Sequence, residues 1–525
     1  MLTVLQTSSL EKVLPKLKCD ATAISGLSAL IGETVSYQIA YMASNMEEYS
    51  VTLTSDIADN IKIYDVKNVP VELPTTPEGL ADDNYISHEP GLFPDALIPR
   101  IKPSVKAGCW YKALWITIDG AVPAGEHTIT VKFEQLSNNG ENDYINFPSR
   151  TTEFVLKTIN AVLPPQKLKV TQWFHADCIY SYYGIEALSD KHWELIEKFM
   201  QMAVKNGINT ILTPIFTPPL DTEIGGERPT IQLVEIHKDG NNYNFKFENL
   251  DRWVAICKKC GMQYLEMAHL FTQWGAKFTP KIMAYENGEY KRIFGWDVEA
   301  QDSSYAEFLA AFLPALLAKL DEYGMADKTY FHISDEPSDQ NLEGYLAAKN
   351  IVQGYLKGYK IIDALSHYDF YKAGIVENPV VAVDCVKPFL ENNVEDLWVY
   401  YCCGQVNGVS NRFMAMPSCR NRFIGFQLYK YNIDGFLQWG YNFYYAALSK
   451  GLISPYLETD ACGAFSAGDA FSVYPEDDGP CPSLRLLVFN EALQDLRAMQ
   501  LLEKYAGHEA VVEMLTKEFG GEIVF

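Results

Sequence analysis

The sequence predicts an α/β fold, a (β/α)8 TIM barrel preceded by an antiparallel β-sandwich domain. Three observations carry that prediction. The chain has 525 residues, more than the roughly 250 residues of a typical barrel, which leaves room for a second domain. Its first third alternates apolar and polar residues with little helical periodicity, and the remainder switches to short apolar runs separated by amphipathic stretches. The change falls at Leu163-Pro164-Pro165, where two prolines remove ladder donors and stiffen the junction. Apolar residues make up 48% and charged residues 21% of the chain, so a large core is available and disorder is excluded.

The sandwich is expected over 1–165. Half-buried strands are read at 50–54, 113–118 and 128–133, and the last two are joined by Asp119-Gly120-Ala121-Val122-Pro123-Ala124-Gly125, a cluster suited to a chain reversal. The barrel, with a C-terminal extension, is expected over 166–525. Eight strands are read starting near Lys169, Ile208, Gln263, Thr329, Lys360, Val380, Leu397 and Gly435, with helices at 191–205, 305–323 and 342–357. A doubly wound sheet has the same alternation, so periodicity alone leaves the connectivity open. Two excursions, 218–247 with a hairpin around Lys238-Asp239-Gly240 and 273–303, are expected over the C-terminal face of the barrel.

Charge and motifs exclude several classes. The net charge of −24 repels a phosphate backbone, so nucleic acid is not an expected partner. The apolar run 308–320 contains Pro314 and Lys319 and is preceded by Glu307, so no membrane span is expected. Met1-Leu2-Thr3-Val4-Leu5-Gln6 lacks the pattern of a secretory signal, and eleven cysteines make no complete disulfide framework, so a reducing, cytoplasmic setting is expected. Cys257-Lys258-Lys259-Cys260 reads as a helix end before Gly261, and Cys402-Cys403 as core. Phosphate-binding and dinucleotide loops are missing, so no cofactor is expected.

In a barrel, chemistry gathers where strands end. Those ends carry His175 and Asp177, then His269 and Trp274, then Asp335-Glu336-Pro337, then Tyr368 and Tyr371, and finally Trp439, Tyr441 and Asn442. Two adjacent carboxylates repel, which raises at least one pKa toward the range of a general acid. Pro337 is expected to hold Glu336 extended, so that the two side chains diverge. Elsewhere in a protein an Asp-Glu-Pro would read as a helix cap; a barrel strand end reverses that reading. Aromatic rings beside carboxylates suit pyranose C–H faces and hydroxyls. A rival reading takes His175, Asp177, His269, His332, His367 and Asp335 as a water-activating metal site, although no His-x-His or His-Glu-x-x-His pairing supports it.

The runs Trp173-Phe174-His175-Ala176-Asp177, Glu266-Met267-Ala268-His269-Leu270-Phe271-Thr272-Gln273-Trp274-Gly275, His332-Ile333-Ser334-Asp335-Glu336-Pro337 and Asp434-Gly435-Phe436-Leu437-Gln438-Trp439-Gly440-Tyr441-Asn442 resemble glycoside hydrolase family 123. The resemblance spans most of 110–500. It implies a carbohydrate substrate and an N-acetyl-β-galactosaminidase with a substrate-assisted, retaining mechanism. It further implies that Asp335 holds the substrate acetamido group and that Glu336 is the acid/base. Under it His175, Asp177, His269, Trp274, Tyr368, Tyr371, Trp439, Tyr441 and Asn442 line the sugar subsite, with no metal. The chain departs from the family near its end: Ser483 and Arg485 are present, but Asn490-Glu491-Ala492 stands where a second arginine motif is expected. A carbohydrate-binding barrel without turnover is the alternative from a different functional class.

Overall fold

The computed structural model describes residues 1–76, 81–120, 122–136, 149–338 and 340–525. Ala121, in the expected sandwich turn, lies outside the described residues. One sandwich sheet orders strands Leu2–Ser8, Val35–Ala43, Lys112–Ile118, Ile61–Val71 and Gly91–Pro99; the other orders Gly26–Ile31, Ser149–Val162, Gly125–Gln135, Glu47–Thr54 and Ser104–Ala107. Tyr37 and Phe154 stack across the two sheets with ring centroids 3.8 Å apart. One pairing corrects the all-antiparallel expectation, because Gly26–Ile31 runs parallel to Ser149–Val162. No hairpin ties these two strands, so no tight turn dictates their direction. A Cβ at Gly26 would lie 2.5 Å from the Val155 carbonyl oxygen, so the close approach there needs glycine.

The strand Lys112–Ile118 is buried on both faces. Leu114 and Ile116 enter the sandwich core, whereas Trp115 turns the other way and packs with Leu97, Leu484 and Val488. The last two belong to the long helix Leu484–Ala506, so the C-terminal segment covers the outer face of the first sheet. A buried ion pair secures this junction: the Arg485 guanidinium meets Asp95 at 2.8 and 2.9 Å and also donates to the Gly468 and Phe471 carbonyls. Where the second arginine motif is missing, Glu491 accepts from Ser9 of the sandwich and pairs with Arg422.

The barrel closes with strands Lys169–Gln172, Thr210–Thr213, Tyr264–Met267, Thr329–Phe331, Lys360–Leu365, Asn378–Ala382, Trp398–Tyr400 and Gly435–Gln438. Each begins within two residues of its expected start. Closure through the parallel pairing of the eighth strand with the first decides against a doubly wound sheet. Leu212, Tyr330, Ile362, Val380, Trp398 and Leu437 fill the barrel interior. Gly435 makes room for Trp398, whose ring would sit 2.0 Å from an added Cβ.

Outside the strands, helix Asp190–Lys205 is capped by Ser189, whose side chain accepts from the His192 N–H. Helix Leu342–Val352 stops short of the expected 357, where Gly354 and then Gly358, at φ +96°, interrupt it. Helix Ser303–Tyr323 is long and apolar enough to cross a membrane, which the shorter run 308–320 did not suggest. Its apolar face is buried under the barrel's flank: Phe308 and Phe312 pack on Phe216, Tyr243 and Phe245. Tyr243 and Phe245 come from the first excursion, whose hairpin Glu235–Asp239/Asn242–Lys246 joins Ile282–Glu286 and Glu289–Phe294 of the second in one four-stranded sheet.

Candidate active site

A cleft opens at the C-terminal ends of the barrel strands. Its lining comes from six of the eight strand ends or the loops that follow: Trp173; Leu220 and Asp221; Gln273 and Trp274; Asp335 and Glu336; Tyr400, Cys402 and Cys403; Leu437 and Trp439. Ala364 of the fifth strand and Phe465 complete it. This is the crevice that a parallel barrel leaves for ligands, and its mixture of rings and carboxylates suits a sugar.

The two carboxylates differ in setting. Asp335 is half-buried and Glu336 exposed. Burial, and then the charge of Glu336, push the Asp335 carboxyl up to about 8, against the opposing pull of His332. Glu336 accepts a 2.7 Å hydrogen bond from the Tyr400 hydroxyl, which comes from the end of the seventh strand. The expected extended backbone at Glu336 is not found. Its φ is +46°, in the left-handed region, a conformation that costs about 1–2 kcal/mol for a residue with a Cβ. Pro337 excludes the ordinary helical alternative, and the adjoining chain is fixed by the Trp274 N–H donating to the Asp335 carbonyl at 3.3 Å. Strain held at such a site is a mark of function.

The opposing loop is equally constrained. Trp274, Gly275 and Ala276 all have positive φ, and a Cβ on Gly275 would approach the Asn341 side chain to 2.5 Å. The result is that Trp274, 46% exposed, presents its ring at the mouth of the cleft. Trp439 is fixed differently. Its indole N–H donates to Asp469 at 2.8 Å, and burial raises the Asp469 carboxyl to about 6 against the pull of Arg412.

The catalytic-domain profile of glycoside hydrolase family 123 matches residues 173–502. The chain belongs to glycoside hydrolase family 123. Across almost its whole length it is similar to the solved structure of a family 123 glycoside hydrolase from Clostridium perfringens, described for glycolipid glycan hydrolysis. The identity is 17% and the TM-score 0.74, with 98% of this chain and 91% of that chain covered. A Podospora anserina GH26-CBM35 β-(1,4)-mannanase aligns over 94% of this chain and 99% of its own at 10% identity, but a TM-score of 0.26 carries no argument. No curated protein matches.

In this family 123 chain, the residues singled out from the sequence divide into two groups. Asp335, Glu336, Trp274 and Trp439 line the cleft. The others brace the barrel around it, which corrects their expected place in the subsite. His175 and Asp177 are buried and committed to Arg228, which donates to His175 Nδ1 at 2.8 Å and to both Asp177 oxygens at 2.7 and 3.0 Å. Burial and the neighbouring guanidinium lower the His175 pKa to about 3, so its neutral ring donates from Nε2 to the Trp439 carbonyl. Asn442 clamps the His175 backbone through both N–H and carbonyl, and the buried Tyr441 hydroxyl donates to the Phe199 carbonyl. Tyr368 and Tyr371 pack on Phe389 outside the cleft. His269 is buried behind Trp173, with ring centroids 5.3 Å apart.

Sequence reasoning missed Tyr400, Asp221 and Phe465 and assigned Cys402 and Cys403 to the core, whereas both cysteines are half-exposed in the cleft. Tyr400 ends a strand, a position that could have drawn notice. Asp221 and Phe465 sit on irregular segments whose partners are distant. Of the residues of the metal reading, His175 and Asp177 are held by Arg228, His332 by Glu266 and Asp363, and His269 by packing on Trp173 and His332, while Asp335 lines the cleft and His367 is exposed; among the described residues no three His, Cys, Asp or Glu side chains converge as a metal-holding group.

Proposed function

We propose that this glycoside hydrolase is a retaining exo-glycosidase that releases terminal β-linked N-acetylgalactosamine by substrate-assisted catalysis. The observation that carries the reading is the pair of adjacent carboxylates on one wall of the cleft, one half-buried and one exposed. A retaining enzyme with a protein nucleophile sets its two carboxyl groups on opposite sides of the sugar ring. Sequence neighbours are poorly placed for that task, and well placed if the nucleophile belongs to the substrate.

In this scheme the acetamido oxygen attacks C1, the C1–aglycone bond breaks, and the leaving oxygen takes the proton of Glu336. An oxazolinium ion results. Asp335 accepts the acetamido N–H and balances the positive charge that develops on the ring. Glu336, now ionised, takes a proton from water as that water attacks C1 and the bond from C1 to the acetamido oxygen breaks, which regenerates the acetamido group; this second inversion restores the β configuration. Asp335 keeps its proton to about pH 8. With the cleft empty that proton favours the less exposed Asp335. An acetamido N–H donating to Asp335 favours its ionised form and leaves the proton to Glu336, where the leaving group needs it. Trp274 and Trp439 supply ring faces for the sugar.

The test is hydrolysis of two chromogenic β-glycosides, the N-acetylgalactosaminide and the plain galactoside, by the purified protein in chelator. Selective release from the N-acetyl sugar is expected. Equal release from both, or turnover only of the plain sugar, would refute the substrate-assisted reading.

A further inference from the structure

Beneath the cleft lies a buried cluster that the mechanism above does not use. His332, on the strand-end segment that carries Asp335, has a carboxylate at each ring nitrogen: Glu266 Oε1 lies 2.6 Å from Nε2 and Asp363 Oδ1 lies 3.3 Å from Nδ1. Ionised carboxylates only accept, so a ring placed between two of them must donate from both nitrogens, and an imidazole that does so is a cation. Most of the remaining acceptor capacity is taken up. Glu266 also accepts from the Trp173 indole at 2.7 Å and from Thr171 at 2.6 Å, and Asp363 accepts from Tyr345 at 2.5 Å and from the Ile333 N–H at 3.1 Å. All three charged side chains are almost fully buried.

We infer that His332 is a cationic positioning residue that favours the ionised form of Asp335 during the reaction and fixes Trp173 in the cleft through their shared partner Glu266. The groups facing it are Glu266 and His269 from the third strand and its end, Asp363 from the fifth, and Asp335 from its own segment. The His269 ring lies flat against it, with centroids 4.2 Å apart at 15°, and neither His269 nitrogen has a hydrogen-bond partner among the described residues. A ring stacked on a cation resists protonation, so His269 stays neutral and the cluster holds a single positive charge. Burial works against that charge on His332, yet its two carboxylate partners raise its pKa to about 9. The oxazolinium reading needs an ionised Asp335 in a setting whose burial and neighbouring Glu336 oppose ionisation; the charge of His332, three residues earlier on the same segment, works in its favour.

The inference rests on the proposed acid/base pair, and its test separates the two. H332Q removes the charge, and the whole bell-shaped pH profile of kcat/KM is expected to move about one unit toward alkaline pH, because loss of a neighbouring cation raises both steps of the pair's titration. A residue that acts only through packing would lower the rate without moving the bell. The readout uses whichever chromogenic glycoside the wild type cleaves, so failure of the N-acetylgalactosamine assignment leaves it intact. Should H332Q not fold, the wild-type protein decides by NMR with histidine labelled at both ring nitrogens. One of its nine histidines is expected to show two protonated nitrogens from pH 6 to pH 8, assigned to His332 by its loss in E266Q. His127, between Asp56 and the Pro123 carbonyl, also has an acceptor at each ring nitrogen, so only the signal lost in E266Q counts: a bell unmoved in folded H332Q, or no E266Q-sensitive histidine still charged at pH 8, would overturn the inference.

Discussion

Replacing Asp335 by Asn is expected to make the protein more stable while it removes activity. The folded carboxyl holds its proton to about pH 8, against an ordinary value of 3.8. The folded state therefore binds more protons than the unfolded chain between those limits, and its stability falls as pH rises through that window. At pH 7 only the part of that window between the ordinary value and pH 7 counts, roughly three units, for a ceiling of about 4 kcal/mol at about 1.4 kcal/mol per unit. Asp335 is partly open to the water of the cleft, and screening there reduces the expected gain in D335N to about 1–2 kcal/mol. In a chain of this size that raises Tm by about 1–3 °C. Thermal unfolding of both proteins from pH 4 to pH 8.5 checks it. The difference should be near zero at pH 4, grow through neutrality and level off above pH 8. A D335N variant that is less stable at pH 8, or whose difference from wild type ignores pH, would refute the argument that burial and Glu336 raise this carboxyl.

Other outcomes follow from single contacts. E336Q should lose about a thousandfold in kcat on glycosides with poor leaving groups and much less on activated aryl glycosides, since only the former need the acid; steady-state rates on a leaving-group series measure it. Y400F deletes the donor at 2.7 Å from Glu336, which should lower kcat/KM about tenfold in steady-state assays. W274A removes the ring at the mouth of the cleft and should raise KM by about three- to thirtyfold, with a smaller change in kcat. R485A leaves Asp95 charged and unpaired in a closed junction, at an expected cost of about 3–5 kcal/mol read by denaturant unfolding.

The barrel was legible because its strands are short β-branched and aromatic runs bounded by polar residues, as in Val170-Thr171-Gln172 and Ile361-Ile362-Asp363, and a strand buried on both sides needs little more than that. The site was legible where chemistry is local. Asp335 and Glu336 are adjacent, and Trp274 and Trp439 follow strand ends directly. It was not legible where a partner arrives from elsewhere. Nothing near His175 or Asp177 announces Arg228, the residue that turns both into a brace. Direction was the second obstacle. The eighth strand ends at Gln438, and beyond it alternation no longer decides which way a side chain turns, so Trp439 lines the cleft while Tyr441 and Asn442 are buried away from it. The Pro337 rule also misplaced Glu336, because it describes what proline disfavours and not the strained alternative that the surrounding chain imposes.

The account stands most directly on the substrate's own acetamido group acting as nucleophile. The measurement that tests it is kcat/KM for aryl N-acyl-β-galactosaminides in which acetyl is replaced stepwise by mono-, di- and trifluoroacetyl. Fluorine weakens the carbonyl oxygen as a nucleophile and barely changes its size, so the account predicts a steep, monotonic fall across the series. A flat response would contradict it and return the nucleophile to the protein or to water.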